Sequence, residues 1–73
     1  MKLSRQQVLA LKRKRGEKNL TIIELANEIG ISRFTASRII NNGSKENITS
    51  TTEKKVNDWL IDEYNNDLVK EVN

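Results

Sequence analysis

"LTIIELANEIGISRFTASRIINNG", residues 20–43, decides how the rest of the chain is read. Thr21 stands just before an apolar run and Glu24 comes three residues on, a pairing that predicts a capping box at a helix start. Ile22, Leu25, Ala26 and Ile29 recur at spacings of three and four and so share one face of that helix. Gly30 supplies the positive φ that a sharp turn between two helices needs, Ile31 plugs the corner, and Ser32 caps the second helix. That second helix is predicted from about Arg33 to Asn41.

It has two unlike faces. At about 100° per residue, Ala36, Ile39 and Ile40 fall on one side, Phe34, Ser37, Arg38 and Asn41 gather opposite, and Arg33 lies on the flank. A purely structural helix would show Glu and Lys at spacings of four on its outer face. This face has no acid. Its Arg, Ser, Thr and Asn residues suit phosphates and base edges, Arg by bidentate donation to guanine and Asn to adenine. Phe34 has two readings: an outward aromatic awaiting a partner such as a thymine methyl group, or a ring tucked sideways against the preceding helix or the chain after Gly43.

Outward from this stretch the chain reads as all-α. Gly16, Gly30 and Gly43 fall between segments of helical periodicity, and there is no Pro. A first helix is expected from Ser4, boxed by Gln7, to near Gly16, with Val8 and Leu11 inward and the stems of Lys12 and Arg15 extending that stripe. A fourth starts near Thr49 or Ser50, with Ser50 and Glu53 as a third capping-box pair, and buries Val56, Trp59 and Leu60. Residues 65–73 fit either an extension or a further short helix. The expectation is a compact bundle of four to five short helices forming one domain over residues 1–73.

Composition limits the chemistry. Seventy-three residues contain no Cys and no His, which removes thiolate and imidazole ligands and the usual general base. Carboxylates are scattered with no Gly-rich phosphate loop, so neither an enzyme, a metal site nor a cofactor is expected. No apolar run approaches the roughly 18 residues of a membrane span and no apolar leader comes after Met1, so a complete cytoplasmic protein is expected, with no membrane and no small-molecule ligand. The net charge of +3 is segregated: residues 1–45 carry ten Lys/Arg against three Asp/Glu, and residues 46–73 three against seven. A basic half facing a polyanion, with an acidic half turned away or contacting another protein, favours a nucleic-acid face over the alternative, ordinary solvation of a small polar domain.

Residues 20–43 resemble the helix-turn-helix family, in particular the small all-helical regulators of phage Cro and repressor type with a lambda-repressor-like fold. Leu20, Thr21, Leu25, Ala26, Gly30, Ile31, Ser32 and Ile39 match the family pattern. The resemblance covers roughly residues 11–60, with the helix-turn-helix itself at about 21–42. It implies a double-stranded DNA operator, with the start of the second motif helix in the major groove. By that alignment Arg33, Phe34 and Ser37 meet bases. Thr21, Thr35, Arg38, Asn41, Asn42, Ser44 and Lys45 meet the backbone, which positions the domain without discriminating sequences.

Departures from the pattern matter too. Ile22 stands where the family commonly has a phosphate-contacting Gln. Ile40 stands where many members carry an acid that pairs with an Arg of the first helix, so Arg15 is expected to reach Glu24 or a phosphate instead. "ITSTTEKKV", residues 48–56, is similar to the helix after the motif in the lac-repressor class, but with no hinge or ligand domain expected after it the chain is not assigned to that class. The run Lys12–Arg13–Lys14–Arg15 fits either a solvated face or phosphate contact.

A second surface is also indicated. Ile61, Tyr64, Leu68 and Val72 recur at spacings of three and four, on a stripe offset from the core positions. Family members usually dimerise on palindromic sites with half-sites roughly 34 Å apart, and this stripe is the candidate homodimer contact; the alternative is that residues 65–73 fold back over the core or fray. Ile23 and Phe34 support an alternative function, that of an antirepressor, a modulator of repression that docks on a phage repressor protein through the helix-turn-helix surface.

Overall fold

A computed structural model describes the backbone of residues 1–72 and the side chains of residues 1–66 and 68. Four helices occur in order: α1 (Arg5–Lys18), α2 (Ile22–Ile29), α3 (Arg33–Asn42) and α4 (Ser50–Val72), with a 3-10 turn at Gly43–Lys45 between the last two. No strand occurs among the described residues. Residues 65–72 continue α4 and form no separate fifth helix.

The caps explain the boundaries. Gln7 N donates to Ser4 Oγ (3.1 Å) and Ser4 N to Gln7 Oε1 (2.8 Å), closing the box that starts α1. Glu24 N donates to Thr21 Oγ1 (3.2 Å) and Thr21 N to Glu24 Oε1 (2.9 Å), doing the same for α2. At α3 the Ser32 hydroxyl accepts from Thr35 N (3.1 Å). For α4 the expected pair gives way to another, because Thr49, and not Ser50, accepts from Thr52 N (3.1 Å). Glu53 N is then spent on Thr49 O (3.0 Å) as the first rung of the helix.

Gly16 does not stop α1. It sits inside the helix, which closes instead at Asn19, held left-handed at φ 53°. Asn19 N donates to Gly16 O (3.1 Å) and Leu20 N to Arg15 O (3.0 Å), a Schellman closure that Asn tolerates better than most residues. Gly30 does turn the chain, at φ 88°.

Leu11, Leu25, Ile39 and Val56, one from each helix, are the largest fully buried side chains and form the centre of the core. Val8, Ile29, Trp59 and Leu60 surround them, and Ile31 and Ile40 pack at the edge. On α1 the inward stripe continues through Lys14, only 2% exposed, whereas Lys12 is exposed. Lys14 lies three residues after Leu11 and so stays on the buried face. Its ammonium meets Glu17 (3.1 Å) and the Tyr64 ring (4.6 Å to the centroid), so the buried charge is compensated.

Two further ties fix α4 to the rest. Lys18 Nζ bridges Glu28 (2.8 Å) and Glu63 (2.6 Å), linking the ends of α1 and α2 to α4. Met1 and Ile48 exchange two main-chain bonds, Ile48 N to Met1 O (2.7 Å) and the Met1 ammonium to Ile48 O (3.0 Å). That short pairing sets Leu3 and Ile48 in the core cluster. Residues 1–3 carry no periodicity that would foretell it.

Candidate nucleic-acid interface

α2 packs most extensively on α3, because small Ala26 and Ala36 are both buried and let the two helices approach closely. This buries one face of α3 and fixes the direction of the other. Ala36 and Ile39 point inward. Arg33, Phe34, Arg38, Asn41 and Asn42 are exposed, with Thr35 and Ser37 half-buried beside them.

Arg33 and Arg38 carry the charge of this face, and among the described residues neither has a carboxylate within salt-bridge distance. The Arg33 guanidinium lies over the Phe34 ring, 5.0 Å from its centroid. Phe34 itself is 64% exposed, so the sideways tuck against α2 or the chain after Gly43 is not formed. Asn41 Nδ2 donates to Ser37 Oγ (3.3 Å), one turn along the same face. Ser32 Oγ donates to Thr35 Oγ1 (2.9 Å), so the Thr35 hydroxyl proton stays available to an outside acceptor.

The chain after α3 turns past the same edge. Ser44 is half-buried and Lys45 exposed, while Asn42 Nδ2 is held by Glu46 Oε1 at 2.7 Å. Beside them lies an open groove of about 460 Å³ lined by Arg5, Val8, Leu9, Asn42, Gly43, Ser44 and Lys45. Arg5 and Leu9 were not among the residues expected at the site. Their spacing of four on the outer side of α1 was the available signal, but nothing in the sequence placed that side next to Lys45.

Arg15 is half-buried, and its Nε is buried with no hydrogen-bond partner. No Arg15–Glu24 pair forms; Glu24 Oε1 accepts from the Thr21 amide instead. Thr21 is exposed, and its hydroxyl oxygen serves the α2 cap.

Glu28, on the last turn of α2, takes the Lys18 ammonium and the Trp59 indole N–H (3.1 Å). The Lys18 hydrogen bond holds the Glu28 carboxyl below the ordinary carboxylate range, ahead of the opposing effect of burial and the smaller help from Trp59. Lys18 is raised in return, by its bonds to Glu28 and then Glu63.

The second surface is only partly apolar and open. Ile23 (53%), Ile61 and Leu68 are exposed, as is Tyr64 to a lesser degree, with its ring against Lys14. The Val72 side chain lies outside the described residues.

Two helices joined by a Gly turn, the second carrying an acid-free cationic outer face, define a helix-turn-helix protein. A family model described as helix-turn-helix matches residues 11–53, from the middle of α1 to the first turn of α4. The chain belongs to the helix-turn-helix family of Cro and repressor type, and is a DNA-binding regulator. No curated protein and no solved structure matches it significantly. No described helix is long and apolar enough to cross a membrane.

Proposed function

We propose that this chain, acting as one domain, is a sequence-specific transcriptional regulator of phage or prophage Cro type that occupies an operator by seating α3 in the major groove. The observation that carries this is the outer face of α3, where Arg33 and Arg38 stand exposed without an acidic partner among the described residues. A protein surface ordinarily mixes charges. A face whose only charges are cationic gains counterion release on meeting phosphates.

In this reading Arg33, Phe34 and Ser37 touch base edges. Thr21, Thr35, Arg38, Asn41, Ser44 and Lys45 fix the frame on the backbone, and Asn42 joins them by leaving Glu46. Arg15, whose Nε has no internal partner, offers its guanidinium to a phosphate. Two copies bind together, joined through the apolar stripe of α4, since one domain buries too little DNA surface for tight specific binding.

The test is binding to the DNA upstream of the protein's own gene over a salt series. Each phosphate neutralised adds roughly 0.9 to the slope of log affinity against log salt. A steep slope supports the operator reading, and weak binding that ignores salt would sink it.

A second reading is favoured by one observation: Ile23 and Phe34 are both large, apolar and more than half exposed on the two motif helices. An antirepressor would use them to dock on a phage repressor. Capture of a co-expressed repressor from the same locus should then be lost in Ile23→Glu or Phe34→Glu, and undiminished capture would rule that surface out.

A further inference from the structure

Seating α3 in the groove leaves open which base step it recognises, and its first two residues narrow that choice. Arg33 and Phe34 are consecutive, both exposed, and already in contact, with the guanidinium carbon 5.0 Å from the ring centroid. Among the described residues, no carboxylate pulls Arg33 elsewhere. A guanidinium held beside an aromatic ring still has donors for a base edge, and the contact restrains it in part before that base arrives. Phe34 is the one Phe of the chain, and its side chain remains largely open to solvent.

We infer that Arg33 and Phe34 act as one unit that reads a guanine beside a base pair bearing a pyrimidine 5-methyl group. The inference rests on the operator reading of α3. In the major groove a guanine offers N7 and O6 to the arginine fork, and thymine offers its C5-methyl to an apolar side chain. Neighbouring pairs are stacked about 3.4 Å apart, so a side chain stacked on its neighbour reaches the adjacent pair. What Phe34 recognises is the methyl group itself. A 5-methylcytosine at that position therefore satisfies it as thymine does, which makes the site sensitive to cytosine methylation wherever the neighbouring pair is C·G.

The test is a selection from randomised duplexes with the full chain, with chemical editing of the enriched sequence afterwards. Each thymine next to an enriched guanine is replaced by deoxyuridine, which removes only the methyl. Wild-type protein should bind the deoxyuridine duplex about fourfold more weakly, the amount expected for one buried methyl-sized group. Phe34→Ala should bind both duplexes equally, and Arg33→Lys should relax the guanine preference by about tenfold or more. Placing 5-methylcytosine opposite guanine at that pair should bind more tightly than unmethylated cytosine. An enriched site in which wild-type protein treats thymine and deoxyuridine alike overturns this inference and leaves the operator reading intact. If no sequence is enriched and binding ignores salt, both fall. The thymine comparison uses unaltered protein, so no folding defect in a variant can imitate either result.

Discussion

Lys55 Nζ donates to the carbonyl oxygen of Gly30 at 3.0 Å, which ties α4 to the turn that sets α3 against α2. Carbonyls at the end of α2 have no intrahelical donor, and Gly30 adds no side chain to restrain the backbone. Because α4 is also anchored through Trp59 to Glu28 and through Glu63 to Lys18, both sides of α2's last turn are held by one helix. The orientation of the proposed reading face is thus braced by residues outside α3.

Lys55→Met keeps the aliphatic stem and removes this bond. The group is exposed, so the loss of stability should be about 0.5–1.5 kcal/mol, the net worth of a typical hydrogen bond. Urea unfolding monitored by circular dichroism gives the number. An unchanged midpoint would show that water replaces the lysine without cost.

The glycines should respond in opposite directions. Gly16 is helical and a Cβ there meets nothing within 4 Å, so Gly16→Ala should stabilise the protein by about 0.5–1 kcal/mol. Gly30 also has open space around it, but its φ of 88° penalises any side chain, so Gly30→Ala should cost about 1–2 kcal/mol and Gly30→Asn less. Thermal melts of the three variants settle this by the sign of each shift. Destabilisation by Gly16→Ala would contradict the assignment of Gly16 to the interior of α1.

The Lys18–Glu28–Glu63 cluster predicts a pH signature. Glu28 is depressed below its ordinary 4.5, so its contribution is present above that value and is lost as pH falls through the lower folded-state value. Lys18 is raised above 10.5, so its contribution is complete below that value and disappears as pH rises through the higher folded-state value. The side chains of Lys18 and Glu28 are about one-third exposed, which limits each pair to under about 1 kcal/mol. The stability gap between wild type and Lys18→Met should be flat near neutrality and narrow at both extremes. A gap independent of pH from 3 to 11, by roughly unit steps in a denaturant series, would mean that the lysine stem rather than its charge matters.

These cases also show what the sequence could and could not convey. The segment from Thr21 to Ile39 was legible because caps, apolar spacing and a positive-φ glycine all point to one local structure, and each operates within a few residues. Gly16 misled because glycine is tolerated inside a helix when the true stop, Asn19, lies just beyond. Lys14 does not stand out from Lys12 and Arg15 in the sequence, since a lysine is normally solvated and its burial depends on Tyr64, fifty residues away. Lys55 on Gly30 and Met1 on Ile48 are likewise long-range, and nothing periodic announces them. Within the candidate site, the outer face of α3 could be read from a helical wheel. The contact of Asn42 with Glu46, which the proposed DNA contact has to break, could not.

The proposed dimer makes a prediction that is independent of DNA. α4 has 23 residues, about 34 Å of helix, whereas its core residues Val56, Trp59 and Leu60 occupy only its first three turns. Beyond them Ile61 and Leu68 are exposed, on a part of the helix that lies outside the residues matched by the family pattern. Exposed Leu and Ile at a spacing of seven are what a helix pair buries along one seam. Sedimentation of the wild-type chain should therefore show a monomer–dimer equilibrium that Ile61→Asp combined with Leu68→Asp shifts fully to monomer. Circular dichroism of the double variant should remain helical, since neither side chain belongs to the core. In DNA binding the same variant should lose its preference for paired half-sites while retaining the salt slope of a single domain. A wild-type chain that sediments as a monomer at high protein concentration, and binds paired and single half-sites alike, would remove α4 from the proposed assembly.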